Sequence, residues 1–169
     1  VFLAQTAAVI RLDGWMSRGA ARAVEGKSTA DHVLALLTPP FTDPRGDWAR
    51  DSERCRPNAE DLERGAAALA WATALTGATD YERNLSLVAR QPGVKRKHAG
   101  ILASAVSGYT RELGREVERK RLASANAANP SAHVGAIGDR LNLELTVQRV
   151  ASIETDYGAL NIISMRDAA

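Results

Sequence analysis

Cysteine is all but missing from this chain of 169 residues: Cys55 is the single one. One thiol cannot close an internal disulfide, so a disulfide scaffold is excluded and a reducing, cytoplasmic setting is the expectation. Aromatic residues are scarce, at 5%, which leaves Ala, Leu, Val and Ile to build the core. No apolar run approaches the roughly 18 residues that a bilayer crossing takes, so no membrane partner is expected. The opening stretch Val1–Ile10 is apolar but has no basic residue before it. It is a poor signal peptide and reads instead as a core helix or strand. The chain opens on Val1 rather than Met, so a longer parent protein is an expectation.

Histidine is sparse too. His32, His98 and His133 are far apart, and with one Cys no metal-ligand spacing appears. No metal and no cofactor are therefore expected. His32 follows a helix cap and reads as a surface or helix-start residue, and His133 as a hydrogen-bonding loop residue. Cys55 lies between Arg54 and Arg56, a setting that lowers a thiol pKa, but no partner His is identifiable and it reads as a free thiol in a loop. Glu60, Asp61 and Glu63 cluster in the first turn of a helix, where the helix dipole accounts for them. Gly135 and Gly138 precede a strand rather than open a helix, the wrong order for a phosphate-binding loop, and read as a turn or bulge. No nucleophile or acid–base constellation is legible, so the chain is expected not to be an enzyme.

What is present is a 45% hydrophobic, 25% charged composition, that of an ordinary globular domain. The charge is uneven. Residues 94–123 carry 8 basic and 3 acidic side chains, whereas 57–93 carry 3 and 5. The expected fold class is mainly α, a helical bundle with a helix-turn-helix-like corner, plus a small C-terminal β-hairpin. Three parts are expected: an N-terminal helical segment and long loop over 1–57, a helical domain over 58–125, and a hairpin over 131–169. Ser28 and Asp31 resemble a capping box before a short helix that Pro39-Pro40 stops. Residues 39–57, with four Pro, read as a long loop pinned by Phe41 and Trp48. Asn58 caps a helix whose apolar face is Leu62, Ala66, Leu69 and Thr73, with Trp71 and Leu75 beside it and Gly77 as its stop. Thr79–Glu82 caps the next helix, which carries Leu85, Val88 and Ala89 and ends near Gln91-Pro92-Gly93.

A long helix is expected from about Lys95 to Ala123, with Leu102, Val106, Tyr109, Leu113 and Val117 as its apolar stripe. Arg111, Arg115 and Arg119 recur at i, i+4 and i+8 on another face. Leu141, Leu143, Leu145, Val147 and Arg149 then alternate with polar residues, as a half-buried strand does. Asp156-Tyr157-Gly158 supplies a turn, and Leu160–Met165 a second strand.

The stretch Val88–Leu102 places a Gly between two helical patterns. Ala89 is the small residue and Gly93 the turn residue of a helix-turn-helix, with Val94, Ala99 and Leu102 facing inward. Over about twenty residues this resembles bacterial repressors whose motif reads I-A-x-x-A-G-V-S-x-x-T-V. Pro92 departs from that pattern by biasing Gln91 away from the helical region. On this reading Lys95, Arg96, Lys97 and His98 occupy the first turn of the recognition helix, where they meet phosphates or guanine edges.

A wider resemblance rests on Ala70-Trp71, Asp80-Tyr81, Asn84-Leu85, Val94–Gly100, Tyr109–Glu112 and His133–Gly135. From about Leu62, over perhaps 100 residues, the chain resembles a group of uncharacterised proteins of actinobacterial phages and plasmids. His133–Arg140 and the strands after it look like the first two strands of an OB-type β unit. In that group further strands follow the position of Asp167, so any barrel here is expected to be incomplete. The resemblance brings no established activity.

The functional expectation is nucleic-acid binding, DNA ahead of RNA and with little sequence specificity. Lys95, Arg96, Lys97, His98, Arg111, Arg115 and Arg119 would carry it. The alternative is an interaction or assembly module that forms a homo-oligomer through the long helix or the hairpin. If the Arg111/Arg115/Arg119 face continues the basic surface of Lys95–Lys97, the first gains; if it pairs with Glu60–Glu63, the second does.

Overall fold

Seven α-helices and one two-stranded sheet occupy residues 1–128, 136–155 and 158–167, the part of the chain that the computed structural model describes. They form two compact units, residues 1–125 and 126–169. The 1–57 segment and the 58–125 helices thus share one body rather than two.

Helix α1 (Phe2–Asp13) is the centre of the first unit. Eight consecutive residues, Phe2 to Val9, are buried. A helix buried on every side is an interior helix, and its sequence is correspondingly apolar all round. Its two polar members are satisfied internally. Thr6 Oγ1 donates to the Phe2 carbonyl at 2.8 Å, and Gln5 Nε2 donates to the Cys55 carbonyl at 2.7 Å. Short α2 (Arg18–Ala23) is capped by Ser17, whose hydroxyl accepts from the Ala20 N–H. Ser28 caps α3 (Thr29–Leu37) as expected, accepting from the Asp31 N–H while its hydroxyl donates to the Asp31 carboxylate at 2.6 Å.

The expected 39–57 loop contains a helix, α4 (Asp47–Arg54). Proline stops at its edge: none lies within 47–54, and Gly46 at φ 65° turns the chain into it. Trp48 pins it, donating Nε1–H to the Ala35 carbonyl at 3.1 Å. Phe41 does not, being fully exposed.

Helix α5 (Ala59–Ala74) carries the capping box that Asn58 announces: Asn58 Oδ1 accepts from the Asp61 N–H, and Asp61 accepts from the Asn58 N–H. Its buried face corrects the expectation. Asp61, Gly65, Ala68 and Ala72 point inward, while Leu62 is 58% exposed and Leu69 is exposed as well. The reason is spacing. α1 approaches α5 so closely that a Cβ on Gly65 would lie 2.6 Å from the Ala4 nitrogen and 2.8 Å from the Leu3 carbonyl carbon. Only small residues fit there, so size rather than hydrophobicity selects the inner face. α5 ends before Gly77, which takes φ 79° in the following turn instead of closing the helix.

Helix α6 (Asp80–Ala89) is capped by Thr79 and buries Leu85, Ser86, Val88 and Ala89. The Glu82 carboxylate accepts from the Ala78 N–H rather than from the N–H of the cap residue itself. Lys95 is extended, Arg96–His98 form one 3₁₀ turn, and α7 (Ala99–Ala128) follows. Leu102 and Val106 of the expected stripe are buried and Tyr109 is half-buried. Leu113 and Val117 are 43% and 67% exposed. The stripe therefore serves the core for its first three members only. Trp71 packs against this half of α7, with ring centroids 6.3 Å from Tyr109, over Gly108, where a Cβ would meet its ring at 3.0 Å. The Tyr81 hydroxyl and Ser104 Oγ, 2.8 Å apart, tie α6 to the same place.

In the second unit, β1 (Leu145–Thr155) and β2 (Gly158–Asp167) pair antiparallel. The strand starts at Leu145, so Leu141 and Leu143 precede it. It is also not half-buried: Leu145, Val147, Val150, Ile153, Leu160, Ile162, Ile163 and Met165 are all exposed. A bulge between Val147 and Arg149 breaks the alternation. Because one extra residue flips the side-chain parity, Val150 lands on the face of Val147. Gly138, at φ 99°, sits in the turn expected there, closed by the Asp139 N–H on the Ala136 carbonyl. His133–Gly135 of the OB-type motif, Asn129–Ser131, and Asp156 and Tyr157 of the expected turn lie outside the described residues.

Three expectations follow. Gly65→Ala drives a methyl into backbone, and should lower stability by about 1–3 kcal/mol in chemical denaturation. Gly114→Ala, where a Cβ meets nothing within 4 Å, should leave it unchanged or slightly raised. Asp61 is buried beside Arg11, which donates to it from Nε at 3.2 Å and Nη2 at 2.8 Å. Burial pushes the Asp61 carboxyl up, but the Arg11 and Asn58 hydrogen bonds outweigh it and hold the pKa below 3.8. A depressed folded-state pKa stabilises above the unfolded value, and that stabilisation is lost as pH falls through the folded one. Asp61→Asn should therefore cost about 2 kcal/mol at pH 7, and its difference from the parent chain should vanish in acid. A constant difference across pH would contradict the ion-pair account.

Candidate nucleic-acid interface

The corner between α6 and α7 departs from a helix-turn-helix in two ways. Gly93 does not take positive φ, so the left-handed turn that the motif needs is missing. Pro92 explains this in part: it fixes its own backbone and keeps Gln91 from continuing as helix. In addition, Lys95, Arg96 and Lys97 lie ahead of α7, in the extended residue and the 3₁₀ turn. They form a basic cap on the helix rather than its first groove-facing turn. Lys95, Arg96 and Lys97 are exposed, while His98 is half-buried, with Nδ1 buried and without a hydrogen-bond partner. His98 is thus set apart from the three cations beside it.

The fold brings a second basic segment to this cap. The Arg18 guanidinium, at the start of α2, donates to the Arg96 carbonyl at 3.3 Å and to Asp31 Oδ1 at 3.0 Å. It also lies over Gly100, where an added Cβ would be 3.8 Å from the central carbon of the guanidinium. On one side Arg18 lines a groove with Arg22, Lys27 and Ser28, and on the other it lines a groove with Lys97 and Ile101. Residues 78 positions apart in sequence therefore share one surface. Arg22, Lys27, Lys95, Arg96 and Lys97 are in no ion pair among the described residues. Glu25 and Asp31 are the acidic groups lining the Arg22/Lys27 groove. The Asp31 carboxyl is held low by the Ser28 hydroxyl first and by Arg18 second, with Arg96 adding to the effect.

The Arg111/Arg115/Arg119 face does neither of the things that would have decided its role. Arg115 and Arg119 both bond Glu112 of their own helix. Asp61 pairs with Arg11 and Glu60 with Arg64. Arg111 is roughly 18 Å along the helix from Ala99, at 1.5 Å per residue, and lines a groove with Trp71, Tyr81 and Glu112. Arg115 and Arg119 are thus neutralised within their own helix, whereas Arg111 is in no ion pair among the described residues. Exposed pairs of this kind are worth about 0.3–0.5 kcal/mol each. Their effect is to neutralise charge and to steady the solvent-facing half of α7.

Sequence reasoning missed Arg18, Arg22 and Lys27. They stand in a segment whose net charge is nearly balanced, and only the fold brings Arg18 to Arg96 and to the groove that Lys97 lines. His32 does stand in the first turn of α3 and Cys55 is a free thiol, but their surroundings were not legible in the sequence. His32 is half-buried between two carboxylates, with Nε2 2.7 Å from Asp51 and Nδ1 3.6 Å from Asp13. Cys55 is fully buried at the end of α4, and burial pushes its thiol up to about 11, beyond the lowering effect of Arg54.

No family model, curated protein or solved structure matches this chain. Among the described residues no helix is long and apolar enough to cross a membrane.

Proposed function

We propose that this chain binds nucleic acid, DNA ahead of RNA, through phosphate contacts from one basic surface. The observation that carries this is the Arg18–Arg96 bond, with Arg18 sharing one groove with Arg22 and Lys27 and another with Lys97. Five unpaired cations on one surface attract a polyanion and release its counterions, giving salt-dependent affinity. Phosphate contacts position a protein on nucleic acid without reading sequence. The basic cap precedes α7 instead of running along it, so it supplies phosphate contact without a helix laid in a groove. The action is binding, with no chemical step.

A second reading concerns the hairpin. Two strands with large apolar side chains exposed on both faces are marginal alone in water, and open edges invite strand addition. A second copy of this chain, pairing hairpin to hairpin, is the assembly we infer from that exposure.

The triple variant Lys95→Ala/Arg96→Ala/Lys97→Ala should weaken duplex binding at least tenfold at low salt and flatten the slope of log affinity against log salt by about 2–3. Arg22→Ala/Lys27→Ala should flatten it by a further ~1.5–2 if the two segments act as one surface. An unaltered slope in either variant would sink the reading. For the hairpin, sedimentation should show mass rising with concentration and insensitive to salt, and Val150→Lys/Ile163→Lys should return it to one chain. A constant single-chain mass at high concentration would count against self-pairing.

A further inference from the structure

The N-terminal helices converge on a cluster that the basic surface does not use. Asp13 is the last residue of α1, His32 lies on α3, and Asp51, Arg54 and Cys55 stand on and just after α4. One donor atom each from Asp13, His32 and Cys55 falls within 4.8 Å of the other two. The Cys55 backbone is fixed there by Gln5 from the centre of α1. Three helices thus deliver a carboxylate oxygen, an imidazole nitrogen and a sulfur to one point.

We propose that Asp13, His32 and Cys55 form a binding site for a borderline-soft divalent transition-metal ion, with Zn²⁺ the best fit. The donor set decides the class of metal. Thiolate sulfur with imidazole suits Zn²⁺ and its neighbours, whereas Mg²⁺ and Ca²⁺ take all-oxygen shells. The surroundings fit as well. Asp51 holds His32 Nε2 at 2.7 Å, which fixes the ring and leaves Nδ1 facing Asp13. A carboxylate on the far nitrogen is the arrangement that orients metal-binding histidines. Arg54 holds the outer sides of both carboxylates, with Nη1 2.7 Å from Asp13 Oδ1 and Nη2 2.9 Å from both Asp13 Oδ2 and Asp51 Oδ1. It fixes where Asp13 and Asp51 lie; Asp51 Oδ1, which also accepts from Arg54 Nε at 3.3 Å and from the Cys55 thiol at 3.6 Å, stays outside the proposed shell.

Metal–sulfur and metal–nitrogen bonds of about 2.3 and 2.0 Å put tetrahedral donors roughly 3.3–3.6 Å apart. The three donors must therefore draw together by about 1 Å, a distance that side-chain rotation covers. On binding, the Cys55 thiol loses its proton to solvent and its sulfur bonds the metal as thiolate. A fourth, open position goes to water.

The test is to titrate Co²⁺, a spectroscopic stand-in for Zn²⁺, into the reduced chain. Cys55 is the single thiol, so a thiolate-to-cobalt charge-transfer band in the near ultraviolet reports this site and no other. The expected result is that band at one equivalent, with visible bands of tetrahedral intensity, both abolished by one equivalent of Zn²⁺. Cys55→Ser should remove the charge-transfer band. His32→Gln and Asp13→Asn should each weaken binding by tenfold or more, Asp51→Asn by about 10–100-fold, and His98→Gln not at all. Absence of the band in the parent chain, with its helical circular dichroism intact, would overturn the proposal without recourse to any variant. So would a band unchanged in both His32→Gln and Asp13→Asn.

Discussion

The first unit depends on how closely α1 and α5 can approach. At Gly65 the two backbones leave no room for a methyl group, and Ala68 and Ala72 continue the contact. Close packing of small residues gains dispersion contacts but offers little apolar area per residue. The pair therefore needs more than hydrophobic burial to hold its register. Arg11 and Asp61 supply it. A carboxylate that closes a capping box at the start of α5 also accepts from both Nε and Nη2 of Arg11 near the end of α1. The pair thus locks the two helices lengthwise while Gly65 sets their separation.

The rest of the unit hangs from α1. With Phe2–Val9 buried on every side, α1 presents α5 with one face and α3 with another. Its Gln5 side chain anchors the end of α4 through the Cys55 carbonyl. The end of α1 then carries Asp13 into the His32–Asp51–Arg54 cluster, and the short α2 just beyond it carries Arg18 to the start of α7. One buried helix positions both the ionic cluster and the basic surface. The first gathers donors of three chemical kinds, and the second holds the cations to which the proposed function assigns a polyanion.

Local signals in the sequence were legible where a single residue type answers a local need. Ser28, Asn58 and Thr79 all cap the helices they announce, because a capping side chain acts within three residues of itself. The Leu85, Val88 and Ala89 face and the Leu102–Val106 start of the α7 stripe also stand as read. The inner face of α5 was not legible by hydrophobicity. Leu62 and Leu69 outrank Gly65 and Ala68 on any apolar scale, and only the nearness of α1 reverses the choice. The end of the α7 stripe failed for the opposite reason: Leu113 and Val117 keep the helical spacing after the core has run out. The basic cap Lys95–Lys97 was visible as a charge cluster. Its partners Arg22 and Lys27, and the meeting of Asp13, His32 and Cys55, arise from contacts between residues tens of positions apart. No local spacing encodes those.

The central claim is that unpaired cations from two distant segments act together on a polyanion. Its most direct test is a titration of the full chain against duplex DNA, single-stranded DNA and RNA over a series of salt concentrations. Five phosphate contacts predict measurable binding at low salt and a slope of log affinity against log salt near −4 to −5 on duplex DNA, at about 0.9 per contact. Affinity too weak to measure at low salt on all three, or a slope near zero, would contradict it.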